Sequence, residues 1–196
     1  VDDPLRVGLG GTHFGAFNAE TRNATDVAGE EMIYVVLDPA CRTGHHVFAD
    51  SANNGPVGTA FVEELIPHLE KQYRGSGVRF TTGHSSGGWS SLWLQVAYPD
   101  TFAGCWSTAP DPVDFRDFQR INLYEPNASL YVDAAGNPRE LSRGRAGNAG
   151  LLFKEFSQAE KVLGYGGQLH SFEAVFSPRD VNGEPLYLWN RETGVI

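Results

Sequence analysis

The sequence predicts an α/β fold in which helices flank a mostly parallel sheet. Two observations support this prediction: β-branched strand segments alternate with amphipathic helical segments, and a glycine-flanked serine stands where one strand changes into a helix. The chain has 196 residues, of which 41% are hydrophobic and 20% are charged. This composition is typical of a globular protein with one core, so we expect a single domain over residues 1–196.

The first half of the chain predicts a strand–helix–strand–helix order. Residues 1–29 predict an edge strand and loop, and residues 32–38 (MIYVVLD) form a continuous apolar run typical of a central strand buried on both faces. Residues 57–73 carry an apolar residue at every fourth position, which predicts a helix that Pro67 kinks. A strand at 78–84 and a helix after it complete the order, which indicates parallel strands with right-handed crossovers.

The second half predicts one more parallel strand and then a long irregular region. The segment TFAGCWSTAP (101–110) predicts the strand, and the polar stretch at about 111–150 predicts an irregular insertion. LLFKEFSQAEKVLG predicts a helix that Gly164 ends, SFEAVFSP predicts a short strand or extended segment, and DVNGEPLYLWNRETG predicts a turn-bearing hairpin. We expect the sheet to be incomplete at its C-terminal side.

Charge and hydropathy exclude two classes of partner. The net charge of −9 disfavours a nucleic-acid surface, because phosphate binding needs clustered Lys and Arg. No apolar run approaches the ~20 residues that span a bilayer. The chain does not begin with Met, which suggests processing, and together with its acidic composition this slightly favours a secreted or periplasmic location. We expect Cys41 and Cys105 to form no disulfide, because one lies in a polar loop and the other in an apolar strand.

The strongest chemical signal is the sequence GHSSGG. Residues 83–87 match G-x-S-x-G between a predicted strand and a predicted helix, the context in which this motif forms a tight turn that exposes a nucleophile. The glycine spacing selects Ser85 rather than Ser86 as the nucleophile. The alternative interpretation is that both serines only cap a helix, since serine is a favoured N-cap residue.

Several further segments resemble the putative esterase family of α/β-hydrolases, which contains esterase D-like and feruloyl-esterase-like enzymes. The resemblance runs from about residue 31 onward, and its most specific parts are ELIPHLEKQYR before the serine and YPDTFAG after it. It implies an α/β-hydrolase-type sheet, hydrolysis of a small carboxylic ester without a cofactor, and Ser85 as the nucleophile. It also implies an oxyanion hole formed by the N–H groups of Ser86 and of a residue near Ala40, with Cys41 as the next candidate.

The general base is the open part of the predicted site. Catalytic residues of α/β-hydrolases follow the order serine, acid, histidine, and His170 is the one histidine after Ser85. Either His170 is the base, or it is a structural histidine and the base lies outside this chain. The resemblance favours the second alternative, because it breaks off at Ile196, and a second polypeptide segment would then complete the sheet and the triad. If His170 is the base, the residue that orients it is one of Asp111, Asp114, Asp117 and Asp133.

The sequence therefore predicts a serine hydrolase that cleaves carboxylic esters through an acyl-enzyme. The alternatives are an acyltransferase on the same fold and a non-catalytic, hydrolase-like binding module that lacks its base. His45 and His46 lie in the loop after the first strand and could line the substrate pocket. Two adjacent histidines do not make a metal site, so we assign no metal.

Overall fold

The computed structural model of the chain describes residues 26–27, 30–31, 33–142, 144, 150–164 and 166–196. The strands are β1 (Asp26–Val27), β2 (Glu30–Glu31), β3 (Ala40–Cys41), β4 (Gly44–His45), β5 (Asp50–Ser51), β6 (Gly55–Pro56), β7 (Phe80–His84) and β8 (Gly104–Thr108). The helices are α1 (Val57–Ala60), α2 (Ile66–Tyr73), α3 (Ser86–Ala97), α4 (Phe153–Leu163) and α5 (Gln168–Phe176). The apolar segment predicted as an edge strand at residues 5–9 lies outside the described residues.

A strand–helix–strand unit forms the centre of the described fold. β7 and β8 pair in parallel, with a register that runs from Phe80 opposite Gly104 to His84 opposite Thr108. α3 connects them, and it buries Trp89 and Leu94. This unit confirms the predicted parallel strand pair and the helix between its strands, so the fold is α/β. The remaining strand pairs are two-residue antiparallel hairpins: β1 with β2, β3 with β4, and β5 with β6.

The prediction of a central strand at residues 32–38 is wrong for the residues that the structure describes there. Residues 33–39 form no strand, and the side chains of Ile33, Tyr34 and Val35 are 56%, 50% and 45% exposed. A strand needs a neighbour for its backbone hydrogen bonds, and among the described residues β7 pairs with β8 alone. The apolar run therefore has the composition of a strand without a partner in the described part of the chain.

The helix predicted at 57–73 is present, but it is interrupted. α1 leads into a π-helical turn at Phe61–Leu65, and α2 follows it. Pro67 stands in the first turn of α2 and cannot donate the N–H bond that would continue a regular α-helical ladder. The interruption therefore comes just before the predicted proline kink. Arg74 ends α2 in the left-handed conformation, with φ 59°.

The segment SFEAVFSP is helical up to Phe176, which corrects the predicted strand. It belongs to α5, where Leu169, Phe172 and Val175 recur at helical spacing and are all buried. The segment SFEAVFSP begins at Ser171 and therefore leaves out Leu169 in the first turn of α5, so the helical spacing is not visible in that segment alone. Glu173 is also buried, and it makes an ion pair and a hydrogen bond with Arg191. The hairpin predicted after this segment is reduced to a turn, which a bridge between Arg179 and Pro185 closes.

The predicted irregular insertion is irregular but well packed. In its described part, one turn of 3-10 helix occurs at Phe115–Asp117. Its residues Ile121, Leu130 and Tyr131 join a buried cluster with Phe153, Leu169 and Trp189 from the C-terminal part. This cluster places the insertion beside α4 and α5. Within the part of the chain that the structure describes, no helix has the length and apolar character needed to cross a membrane. The secreted or periplasmic location stays a prediction.

Candidate functional site

Ser85 occupies the turn between β7 and α3. Its backbone has φ 57° and ψ −121°, a left-handed conformation that is strained for any residue with a side chain. Backbone hydrogen bonds hold this conformation: the Ser85 N–H donates to the Thr108 carbonyl at 3.0 Å, and the Ser85 carbonyl accepts from the Trp89 N–H at 3.0 Å. The turn is therefore fixed at once by the neighbouring strand and by the following helix.

The glycines of the motif allow two close backbone approaches. A Cβ atom on Gly83 would lie 2.1 Å from the Gly87 carbonyl oxygen, and one on Gly88 would lie 2.7 Å from the Thr108 carbonyl oxygen. A Cβ atom on Gly87 would meet nothing within 4 Å. The motif spacing predicts that Gly83 and Gly87 are the positions where a side chain would collide with the backbone. In the structure these positions are Gly83 and Gly88. The second close approach is tertiary, so the motif alone does not indicate it.

Asp111 joins both serines of the motif. The Ser85 hydroxyl donates to Asp111 Oδ1 at 3.3 Å, and the Ser86 hydroxyl donates to Asp111 Oδ2 at 2.5 Å. Of the four aspartates considered from the sequence, this one lies at the predicted nucleophile. Asp114 instead accepts from the Arg116 N–H, and Asp133 accepts from Asn137 in its own turn. Asp111 is placed just after β8, and its N–H donates to the Ser85 carbonyl at 3.3 Å.

Sequence reasoning missed Gln168, which extends this polar network. It is the first residue of α5, and its Nε2 donates to the Ser86 hydroxyl at 3.1 Å. The network therefore runs from Gln168 through Ser86 and Asp111 to Ser85. Glutamine has no catalytic signature of its own. No sequence signal indicated that Gln168 would lie beside Ser86, which is 82 residues earlier in the chain.

A cavity of about 210 Å³ opens beside Ser85. It lies between the segment after β8, the insertion and the last two helices. Its lining residues are Ser85, Asp111, Pro112, Phe118, Gln119, Leu141, Phe156, Gln168, Leu169 and Phe172. A serine that lines a cavity can contact a bound substrate, as a nucleophile must. A serine that only caps a helix has no need of a cavity beside it.

The two predicted oxyanion-hole donors differ in position. Ser86 is the first residue of α3, so its N–H lies outside the hydrogen-bond ladder of that helix and at its positive end. The Ala40 N–H donates to Asp38 Oδ1 at 2.9 Å, and Ala40 is exposed. An N–H that already donates to a carboxylate has to lose that bond before it can stabilise an oxyanion. The assignments of Ser86 and Ala40 both stay predictions.

His170 lies against a buried glutamate. Its Nε2 is 3.9 Å from Glu160 Oε2, and its backbone N–H donates to the same oxygen at 3.0 Å. Burial lowers the pKa of His170, while the negative charge of Glu160 acts in the opposite direction. Among the described residues no histidine hydrogen-bonds to the Ser85 hydroxyl, whose partner there is Asp111. The role of His170 as a base stays a prediction.

His45 packs near the cavity rather than among its lining residues. Its ring meets Phe172, a wall residue, edge-on at a centroid distance of 5.9 Å. Burial lowers the pKa of His45, and the negative charge of Asp111 opposes this effect. His46 accepts a hydrogen bond from the Phe48 N–H at 3.1 Å. Within the described ranges, no group of three or more His, Cys, Asp or Glu side chains could hold a metal ion. Cys41 and Cys105 are free thiols, which confirms the prediction of no disulfide. Cys105, which its apolar strand predicts to be buried, is half-buried, as Cys41 is.

Comparison with known protein families gives a match. A family model described as "Putative esterase" matches residues 13–175, which is most of the chain and includes the Ser85 turn, Asp111 and the cavity. Comparison with curated proteins and with solved structures finds no match.

Proposed function

Because the chain belongs to the putative esterase family, we propose that it is a serine hydrolase of carboxylic esters and that Ser85 is its nucleophile. The family supports an esterase-type hydrolase in general. The single observation that carries the finer proposal is the backbone of Ser85, which is strained at φ 57° where its side chain lines a cavity. Strain of this kind persists where the surrounding structure imposes it, and it concentrates at reactive residues.

The proposed reaction begins when Ser85 Oγ attacks the carbonyl carbon of the ester. The bond to the leaving alcohol breaks, an acyl-enzyme forms, and water then attacks it to release the carboxylic acid. The N–H groups of Ser86 and of a residue near Ala40 would stabilise the negative oxygen of each tetrahedral intermediate. Asp111 would orient the Ser85 hydroxyl through their 3.3 Å hydrogen bond.

A base is still needed, since an unactivated hydroxyl is a weak nucleophile and histidine is the usual proton acceptor near neutral pH. His170 is the candidate within the chain. The other proposed source is a second polypeptide segment, which would complete both the sheet and the triad. A carboxylic ester of small size is the proposed partner in either case.

Covalent labelling tests the nucleophile directly. The 196-residue chain is treated with an alkyl fluorophosphonate, and the modified residue is located by mass spectrometry. We expect one phosphonyl group on Ser85, loss of labelling in Ser85→Ala, and retained labelling in Ser86→Ala. The Ser86→Ala variant is a matched control, because it also removes a hydroxyl that hydrogen-bonds to Asp111. Labelling that survives Ser85→Ala and disappears in Ser86→Ala would refute the assignment.

A further inference from the structure

The cavity beside Ser85 is polar on one part of its wall and apolar on the rest. Three of its polar residues, Ser85, Asp111 and Gln168, belong to one hydrogen-bonded network through Ser86. The apolar part is formed by Phe118, Leu141, Phe156, Leu169 and Phe172. A substrate whose reacting carbonyl meets Ser85 would therefore extend one arm along apolar side chains.

The apolar wall is anchored in the protein interior. Phe118, Leu169 and Phe172 are 6%, 5% and 5% exposed. Phe118 and Phe172 lie 6.2 Å apart between ring centroids, and Phe172 lies 5.5 Å from Phe176 behind it. Rings held by other buried rings keep their positions, so the shape of the cavity is present before a ligand arrives.

The charge of the lining selects against an anionic arm. Asp111 is the charged residue among the lining side chains, and no lysine or arginine is among them. A carboxylate that enters this cavity would lose its water, find no cation among the lining residues, and approach the negative charge of Asp111. An uncharged apolar arm loses little by the same transfer and gains from burial.

The volume of the cavity sets the size of the arm. At about 210 Å³, it is smaller than the pockets of ~300–1,000 Å³ that hold whole drug-sized ligands. An apolar cavity of ~150 Å³ holds benzene, which has six non-hydrogen atoms, so this cavity has room for an arm of about that size or slightly larger. We propose that the cavity binds one uncharged, apolar arm of the ester, with about seven non-hydrogen atoms. This inference rests on the proposed function of Ser85.

Three fluorophosphonates that differ only in one arm test the inference. The arms are methyl, heptyl and carboxypentyl, and the measurement is the second-order rate of Ser85 modification in the 196-residue chain. We expect the heptyl probe to react at least ~10-fold faster than the methyl probe, since even one methylene in a fitted pocket is worth ~10-fold or more. We expect it also to react at least ~10-fold faster than the carboxypentyl probe, because the carboxylate of that probe would lose its water beside Asp111. Equal rates for the three probes would overturn the inference and leave Ser85 as the nucleophile. No modification of Ser85 by any probe, either in the 196-residue chain alone or in that chain with the second segment that the proposed function allows for, would overturn the proposed function and the inference together.

A pair of lysine variants tests whether the preference for the heptyl over the carboxypentyl probe arises in this cavity. Leu141 lines the cavity and is half-buried, whereas Leu163 at the end of α4 is 83% exposed and outside the lining. We expect Leu141→Lys to cut the heptyl preference over carboxypentyl by ~10-fold or more, because the new cation meets the probe carboxylate. Leu163→Lys adds the same charge and should leave the preference unchanged. An equal effect of the two variants would place the arm outside this cavity. The comparison of probes on the unmodified chain stands even if Leu141→Lys does not fold.

Discussion

Two segments that the sequence predicts as strands have different outcomes in this chain. Residues 80–84 form β7, which pairs with β8 and supports Ser85, whereas residues 33–39 form no strand. β7 receives its partner from within its own unit, because α3 returns the chain to β8 beside it. Residues 33–39 have no strand beside them in the described chain. The difference teaches that β composition decides which residues can form a strand, and that an available neighbour decides whether they do.

The largest expected effect separates the unit formed by β7, α3 and β8 from residues 33–39, because α3 buries its apolar side chains in that unit. Leu94→Ala in α3 should lower the free energy of unfolding by about 3 kcal/mol, since Leu94 is 3% exposed in a cluster with Phe61, Ile66 and Phe102. Ile33→Ala should change it by less than about 0.5 kcal/mol, since Ile33 is 56% exposed. Urea unfolding followed by circular dichroism measures both values. A cost for Ile33→Ala as large as that for Leu94→Ala would mean that residues 33–38 are buried after all.

The next effect tests which glycines the Ser85 turn requires. Gly83→Ala should destabilise the protein by about 2 kcal/mol, because the new Cβ would lie 2.1 Å from the Gly87 carbonyl oxygen and the backbone has to shift. Gly87→Ala should be neutral or stabilising by up to about 1 kcal/mol, because its Cβ meets no atom within 4 Å and alanine favours a helix. The same urea measurement compares the two variants. If Gly87→Ala cost as much as Gly83→Ala, the motif spacing rather than the contact geometry would describe the turn.

The sequence predicted those elements whose partners are close along the chain. The helix between β7 and β8, the register partner TFAGCWSTAP and the end of α4 at Gly164 all follow from local patterns. The segment SFEAVFSP became a helix because its context overrides the β propensity of Val175 and the two phenylalanines. Glu173 also obscures the helical pattern, because a glutamate interrupts the apolar face of α5. The sequence does not show that Glu173 is buried in an ion pair with Arg191.

The candidate site divides in the same way. The strand-to-helix change places Ser85 and Ser86, and chain order made Asp111 one of four candidates, so three of the four network residues were candidates from the sequence. Gln168 and the phenylalanine wall come from α5 and the insertion, and their positions depend on packing between distant segments. His170 satisfied the expected chain order but lies against Glu160, since chain order does not indicate where a helix will pack.

The smallest expected effect concerns the link between the α2 helix and the β7 unit. Arg79, just before β7, donates from Nε to Glu70 Oε1 at 2.6 Å and from Nη2 to Oε2 at 2.7 Å, and its Nη1 donates to the Thr101 carbonyl at 3.0 Å. The hydrogen bonds from Arg79 lower the pKa of Glu70 below its ordinary value of 4.5. The stabilisation of the folded state by the ion pair of Glu70 with Arg79 is therefore fully present above pH 4.5. It is lost as the pH falls through the lowered pKa that Glu70 has in the folded state.

Both side chains of this pair are 28% exposed, so we expect Glu70→Gln to cost less than about 1 kcal/mol at neutral pH. Unfolding free energies measured at neutral pH and near pH 3 test the sign: the difference between the unmodified chain and Glu70→Gln should shrink at the lower pH, because Glu70 is then increasingly protonated. Glu64→Gln is the control, since Glu64 is exposed in the π-helical turn and neutralises the same charge away from Arg79. A difference for Glu70→Gln that persists or grows at low pH would show that the charge of Glu70 does not hold the helix to the strand unit. In that case the shape of the contact, rather than its charge, would be what joins the two segments.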